Sequence, residues 1–408
     1  MGDGTGSRNR DIGRRVSYWR SRRGLTRQQF ADLVGRSMSW VDKVETGQRG
    51  LVRLPMLETV ATALQVDIAA LTDDEVARRA VRSPDLVEVR AIRAALGSYR
   101  AILGSGCEPV NLVTLGGQVD YACSAWLSSR FSTMGRVLPG LITDAQCAVE
   151  QYSGAQRLDA TRHLVMSYRL ASSTLMKFET TELAWLAADR AMLAARTVGD
   201  PICLARATRS VARAMAGVGQ RRDAIDVLVA MARRMEPELA GGDRHLLSLY
   251  GMLLLPAEIA AAGDGDAQTA LTMHDEADEV ARRLGPGYHD PVNVFGVTNV
   301  ALHRLAALVR LQEGGRAVAY ASTIEPPALS RLPSERKAAY LLDLAEAHRQ
   351  CRQHREATAA LVRAEQVAPE EVRCRPAAHT LIRRLLDVTS GQPALQLRQL
   401  AERAGVAA

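Results

Sequence analysis

No long apolar segment opens this sequence, and its later apolar runs are interrupted. The first residues, MGDGTGSRNRD, lack the hydrophobic core of a secretion signal. The longest apolar run, Leu246–Gly263, contains Tyr250, Pro256 and Glu258, which is more typical of a buried helix than of a membrane span. We therefore expect a soluble cytoplasmic protein with no membrane partner.

Cysteine and lysine are scarce, and the few cysteines are scattered. A chain of 408 residues has no need of disulfides to stabilise its core, and no Cys-x-x-Cys pair occurs. Reduced thiols are therefore expected. Only three lysines accompany 49 arginines, and this bias weakens the functional meaning of any single arginine. The cysteines are Cys107, Cys123, Cys147, Cys203, Cys351 and Cys374.

Motifs for catalysis and for cofactors are missing as well. No Ser–His–Asp or Cys–His arrangement stands out, so an enzyme is not expected. His348, Cys351 and His354 are spaced like zinc ligands but lack an evident fourth ligand. We therefore predict no metal site and no cofactor.

The stretch Thr26–Gly47 has the spacing of a helix-turn-helix. Ala31 is small enough for two helices to cross closely, and Gly35 tolerates a left-handed turn between them. Val41 and Val44 are three residues apart, so they anchor one face of the second helix. The opposite face is left free to enter a DNA groove.

The distribution of charge supports a nucleic-acid partner. Residues 1–60 hold 12 basic and 6 acidic residues, whereas the other 348 hold 40 and 39. The positive excess is therefore concentrated around the helix-turn-helix, as expected for a domain that meets phosphates. The predicted helices of this region are Ile12–Arg23, one capped by Thr26 with Gln29, about Ser37–Thr46, one opened by Pro55, and Val66–Leu71.

Residues 12–71 resemble a Cro/repressor-type (XRE) DNA-binding domain. The segment SMSWVDKVETGQR is similar to recognition helices of actinobacterial regulators in this family. Three later stretches resemble the C-terminal region of the same regulators: FGVTNVALH (295–303), GGRAVAYA (314–321) and LVRAEQVAPEEVR (361–373). The resemblance implies a five-helix domain, placed here at residues 10–72, and a double-stranded DNA operator as partner.

The family's base-reading positions fall on Met38, Ser39 and Lys43, and Arg27 occupies a phosphate-contacting position that is commonly glutamine. Trp40 either presses on a sugar or thymine methyl group or covers the surface of the domain. The alternative for the whole domain is a role in protein contacts only. The predicted DNA-contacting set is Arg27, Arg36, Ser37, Met38, Ser39, Trp40, Asp42, Lys43, Arg49 and Arg53.

After a charged connector and loop at residues 73–110, the sequence has helical patterns and no convincing strand. Paired patterns end at prolines separated by 36, 49, 40 and 43 residues, which indicates a helical-hairpin repeat. The unit Ala339–Pro369 fits a tetratricopeptide repeat, and Leu204–Pro237 fits more loosely. We predict an all-α protein whose residues 111–400 form a tetratricopeptide-like α-solenoid. The prolines are Pro201, Pro237, Pro286, Pro326 and Pro369.

The first helix of each hairpin is expected to line a concave surface. This placement puts Arg206, Arg209 and Arg213 together, where they can receive a carboxylate or phosphate. Asn299 and His303 lie one helical turn apart and can bind a peptide backbone or polar ligand. A solvated arginine face and a histidine satisfied by its neighbours are the alternative.

Together these features predict a transcriptional regulator that binds DNA as a homodimer. Its solenoid is expected to dimerise and to bind a small-molecule or peptide effector. A second hypothesis is an interaction scaffold whose helical groove recruits a protein partner, with DNA binding secondary.

Overall fold

The computed structural model describes residues 3–23, 25–51, 53–64, 66, 68–72, 86–98 and 106–406. Throughout these residues the regular structure is helical and no strand occurs, so the all-α prediction is confirmed. Within the predicted connector and loop, residues 73–85 and 99–105 lie outside the described residues.

The N-terminal domain is a five-helix bundle. Its core includes Val16, Trp19, Phe30 and Leu64, each buried. The first helix starts earlier than the predicted Ile12, and the other boundaries agree within two residues. The helices are α1 (Asp3–Arg22), α2 (Arg27–Leu33), α3 (Met38–Glu45), α4 (Leu54–Leu64) and α5 (Ile68–Thr72).

A connecting helix, α6 (Leu86–Leu96), is followed by helical hairpins. Between hairpins five and six lies α17 (Pro326–Ser330), and the chain ends with α20 (Pro369–Arg373), α21 (Pro376–Leu386) and α22 (Gly391–Arg403). The hairpins are α7 (Leu112–Leu127) with α8 (Phe131–Gln151), α9 (Gly154–Lys177) with α10 (Thr181–Val198), α11 (Pro201–Gly217) with α12 (Arg221–Leu239), α13 (Arg244–Gly263) with α14 (Ala267–Leu284), α15 (Val297–Arg310) with α16 (Gly314–Ala321), and α18 (Ser334–Gln350) with α19 (His354–Val367).

The two helices of each hairpin are joined by the same three-residue turn. In every case the third turn residue donates its N–H to a carbonyl five residues earlier, as Arg130 does to Ala125 at 2.9 Å and Gln353 to His348 at 2.9 Å. This bond closes the C-terminus of the first helix and sets the angle of the second. The middle turn residues all have positive φ: Ser129, Glu179, Gly219, Gly265, Gln312 and Arg352.

The hairpins stack into a solenoid. The first helix of each hairpin contacts the first helix of the next, so α7, α9, α11, α13, α15 and α18 form an inner layer. Small residues such as Ala212, Ala224 and Ala357 are fully buried where helices cross. The predicted helical-repeat architecture is therefore confirmed. Of the prolines taken as hairpin ends, Pro237 instead lies inside α12.

The two ends of the solenoid meet through a buried ion cluster. Lys177, the last residue of α9, donates to Glu335 at 2.6 Å and to Glu371 at 2.7 Å. The three side chains are at most 7% exposed. Arg336 pairs with Glu335, and Arg375 donates to Glu371 at 2.8 Å. Because these residues come from hairpins two and six and from α20–α21, the cluster closes the curve of the solenoid.

The N-terminal domain is docked on the first hairpin. Arg23 is buried and donates to Leu64 O at 2.8 Å and to Glu88 of α6 at 2.8 Å. Arg136 of α8 donates to Arg23 O at 2.7 Å. A Cβ on Gly135 would lie 1.9 Å from the side chain of Glu88, so glycine is required for α6 to approach α8. The domain and the solenoid therefore share a polar contact centred on one arginine.

The expectation of six reduced thiols is wrong for one pair. Cys107 and Cys147 form a disulfide with a Cα–Cα distance of 5.5 Å. Their separation of 40 residues hid the pairing, because it depends on α8 running antiparallel to α7. Gln151 donates to Glu108 O at 2.6 Å, so the segment before α7 is held at the end of α8 by polar contacts as well.

Helix α13 is long and apolar enough to span a membrane, but 78% of its most apolar window is buried inside the protein. It packs against α12, α14 and α15. The run that was predicted to be a buried helix is therefore a core helix of the solenoid.

We expect Lys177→Met to lower the free energy of unfolding by about 3 kcal/mol, because Glu335 and Glu371 then remain buried without their shared cation. The estimate is at the low end for a broken buried pair because Arg336 and Arg375 still face the two carboxylates. Urea unfolding measures the change. The matched control is Lys337→Met, and equal stabilities for the two variants would contradict a closing role for Lys177.

Candidate DNA interface and solenoid cavity

The turn between α2 and α3 is built as the sequence predicts. The side chain of Thr26 caps α2 by accepting a hydrogen bond from Gln29 N at 3.2 Å. In turn, the side-chain oxygen of Gln29 accepts from Thr26 N at 2.9 Å. Gly35 has φ +63°, the left-handed conformation that glycine adopts without strain. Ser37 caps α3 by accepting from Trp40 N at 3.2 Å. The capping box and the left-handed glycine are therefore confirmed.

Helix α3 presents one buried and one open face. Val41 and Val44 are at most 1% exposed and fix the helix to the core. Met38 is 53% exposed, and the polar residues of the same face are also exposed. A helix held in this way offers its N-terminal turn and one side to a partner. The exposed residues of α3 are Met38, Ser39, Asp42 and Lys43.

Basic side chains surround an open groove at the N-terminus of α3. Arg36, Lys43 and Arg49 line it together with Ser37 and Ser39. The N-terminus of a helix carries unpaired N–H groups and a partial positive charge, so the groove suits an anion. Asp32 is an acidic residue of the lining. Arg53 is exposed just before α4.

Glu45 holds three helices together beneath this surface. Its side chain is 3% exposed, it pairs with Arg20 of α1, and it accepts from Arg27 of α2 at 2.9 Å. The hydrogen bond with Glu45 raises the pKa of Arg27. Arg27 also lies 3.7 Å from Asp42. Its charge is therefore already balanced inside the domain, which weakens its predicted role on phosphate.

Trp40 packs into the domain. It is 8% exposed and belongs to the hydrophobic core, and Arg36 lies over its ring at 6.0 Å. Of its two sequence-based interpretations, the structure favours packing over a contact with a sugar or thymine. Part of Trp40 nevertheless borders the groove at the N-terminus of α3.

The geometry agrees with what comparison with known proteins finds. Residues 11–78 match the family of helix-turn-helix domains. The N-terminal part of the chain is a helix-turn-helix domain. No curated protein matches the chain.

One similar solved structure is the crystal structure of Bacillus thuringiensis PlcR in complex with the peptide PapR7 and DNA. The identity is 15% and the TM-score 0.34, with 77% of this chain and 94% of that chain covered. Both values are too low for the ligands of that protein to be transferred to this chain.

A cavity of about 840 Å³ lies on the inner side of the solenoid. Its walls come mainly from α9, α11, α13, α15, α18 and α21. Small and apolar side chains, among them Ala212, Ala260 and Ala306, line part of it. Much of the remaining lining is charged, and eight basic side chains outnumber three acidic ones.

The structure brings together three of the five predicted effector residues. Arg209, Arg213 and His303 line the cavity. Arg206 does not, because its guanidinium faces Met166 and His245, at 3.9 and 3.4 Å. Asn299 is 1% exposed and lies behind His303 rather than in the lining.

Sequence reasoning missed the opposite wall. Arg310, Arg336, Asp343 and Arg375 are among the charged residues that this wall adds. Arg336 and Asp343 belong to the hairpin that fits the repeat pattern best, but repeat patterns report small and apolar positions and not the charged ones between them. Only the curvature of the closed solenoid places these residues opposite Arg209.

Burial and the neighbouring positive charges lower the pKa values of several side chains in the lining. Burial lowers the pKa of Arg213 to about 10, assisted by Arg336. Burial and then Arg213 lower the pKa of Arg209 well below its ordinary value. Burial, together with Arg336, Arg209 and Arg310, lowers the pKa of His303 to about 3. His303 is therefore neutral near neutral pH.

The neutral state of His303 predicts a loss of stability in acid. In the unfolded chain its pKa returns to about 6.5, so between about pH 6.5 and about pH 3 the unfolded chain binds more protons and the free energy of unfolding falls as pH falls. His303→Gln should reduce the fall between about pH 7 and about pH 5 by about 1–2 kcal/mol. Urea unfolding at the two pH values measures it, and identical pH dependence in the variant and the parent would contradict a neutral His303.

Proposed function

We propose that this protein is a sequence-specific, DNA-binding transcriptional regulator of the Cro/repressor type. In this proposal α3 enters the major groove, and the solenoid dimerises and binds an effector. Effector binding changes the population of the arrangement that fits the operator. The proposal also includes the similarity of the sequence to actinobacterial regulators of this type.

The observation that carries the proposal is the open face of α3. Met38, Ser39 and Lys43 are exposed on a helix whose other face is buried, and Arg36 and Arg49 stand beside its N-terminus. Lysine pairs with guanine edges, serine with several bases, and arginine with phosphates. The arrangement therefore supplies both positioning and reading contacts.

Few side chains of this surface are able to form directional hydrogen bonds with base edges. Met38 offers only apolar contact, and Arg27 is already paired with Glu45. Part of the specificity is therefore assigned to DNA shape and to the spacing of two half-sites.

Replacing Ser39 and Lys43 tests the reading face. We expect the double variant Ser39→Ala/Lys43→Gln to lose about 1–3 kcal/mol of binding free energy per base contact on a selected operator. Arg36→Gln should instead weaken binding to all duplexes and lower the salt slope by about 1. Fluorescence anisotropy over a salt series measures both quantities.

The control for these variants is Lys337→Gln, which removes the same charge from the solenoid. It should bind like the parent chain. Equal affinities for the parent and for Ser39→Ala/Lys43→Gln would rule out α3 as the reading helix.

A homodimer is the second part of the proposal. A single domain of this size buries little DNA surface, so tight binding requires two half-sites about one helical turn (~34 Å) apart. Two exposed leucines on α10 support self-association through the solenoid, since Leu186 and Leu193 are 37% and 54% exposed and lie two turns apart on one face.

Leu193→Glu is expected to shift the sedimenting species toward monomer and to weaken operator binding, because it places a charge in the proposed apolar contact. Val388→Glu is the matched control, since Val388 is 53% exposed elsewhere on the solenoid. Analytical ultracentrifugation with and without operator measures the state. A parent chain that is monomeric while it saturates the operator would contradict the dimer.

A further inference from the structure

The charges that line the cavity do not balance. Eight basic side chains face three carboxylates, and His303 adds no charge in its neutral form. The cluster of Lys177, Glu335 and Glu371 accounts for some of this charge, since both carboxylates are shared between Lys177 and the arginines at 336 and 375. The remaining basic groups belong to the open part of the cavity.

Two arginines of α11 make no ion pair, and the carboxylate of Glu335 acts on them only at longer range. Arg310 lies 3.9 Å from Asp343, and Arg221 donates to Asp264 at 3.2 Å. Arg209 and Arg213 make no hydrogen bond or ion pair with any described residue, and Nε of Arg209 is buried without a partner. A guanidinium withdrawn from water with no anion beside it is costly. Their positions, four residues apart on one helix face, present two donor groups to the same space.

His303 gives the cavity an acceptor next to these donors. Its Nδ1 lies 2.9 Å from the carbonyl oxygen of Asn299, which only accepts, so Nδ1 carries the proton. Nε2 of the neutral ring is then an acceptor, and no described residue bonds to it. Nε2 can therefore accept a hydrogen bond from a hydroxyl group of a ligand.

We propose that the cavity binds a small phosphorylated molecule, with its phosphate held by Arg209 and Arg213 and a hydroxyl group donating to His303. A single carboxylate would leave most of the basic excess unbalanced, whereas a phosphate monoester carries close to two charges and accepts several hydrogen bonds. The small apolar wall formed by Ala212, Ala260 and Ala306 receives the uncharged part of the ligand. A regulatory role for this ligand rests on the proposed function of the solenoid as the effector-binding domain. Binding of the ligand itself can be measured without DNA.

Isothermal titration calorimetry of the full chain tests the proposal with pyrophosphate, glucose 6-phosphate, glucose, citrate and a short peptide with a free C-terminal carboxylate. We expect glucose 6-phosphate and pyrophosphate to bind and glucose not to bind. Arg209→Gln/Arg213→Gln should weaken glucose 6-phosphate binding by about tenfold or more for each arginine. The matched control is Arg233→Gln/Arg283→Gln, which removes two exposed arginines from α12 and α14 and should bind like the parent.

A thermal melt distinguishes a ligand-binding role from a structural one. Because Arg209 and Arg213 repel other basic groups and have no partner, the double variant should melt no lower than the parent without ligand. A lower melting temperature would assign them a structural role and overturn the proposal.

Other results would also overturn it: binding of citrate or the peptide but of neither phosphate compound, or equal phosphate affinity in both double variants and the parent. Operator binding is measured separately on the same proteins. A parent chain that binds the operator but neither phosphate compound refutes only the ligand assignment, whereas a parent chain that binds phosphate but no DNA refutes only the regulator.

Discussion

The buried contact of Lys177 with Glu335 and Glu371 is the constraint on which the rest of the solenoid depends. Burial lowers the pKa of Lys177, while the two carboxylates act in the opposite direction. Burial alone would raise the pKa of Glu335, but Arg336 and Lys177 hold it well below its ordinary value. Glu335 is therefore a carboxylate, and the cluster joins residues 158 and 194 positions apart.

Closure of the solenoid forms the cavity and brings arginines from distant helices together on its lining. The arginines that face the cavity come from hairpins three, five and six and from α21, and they meet because the curve is closed. Next to the first hairpin, Arg23 is shared by α6, α8 and the helix-turn-helix domain. The solenoid and the helix-turn-helix domain are therefore joined by packed helices and one buried arginine.

Local chemistry made the N-terminal domain predictable. The cap at Thr26, the turn at Gly35 and the buried pair Val41 and Val44 each follow from rules that span a few residues, and the structure contains all of them. The ion pairs of Arg27 with Glu45, the disulfide of Cys107 with Cys147 and the far wall of the cavity depend on segments that meet only after folding. The periodicity and spacing of residues do not report contacts between distant segments, so these features could be identified only from the structure.

The claim that α3 reads DNA is tested most directly by selection of duplexes from a random pool by the full chain. The account predicts enrichment of a recurrent motif of two related half-sites, centred about 10 base pairs apart. It also predicts that a chain altered at Ser39 and Lys43 enriches that motif less or selects a different one. No enrichment above the starting pool, or the same motif from both chains, would contradict it.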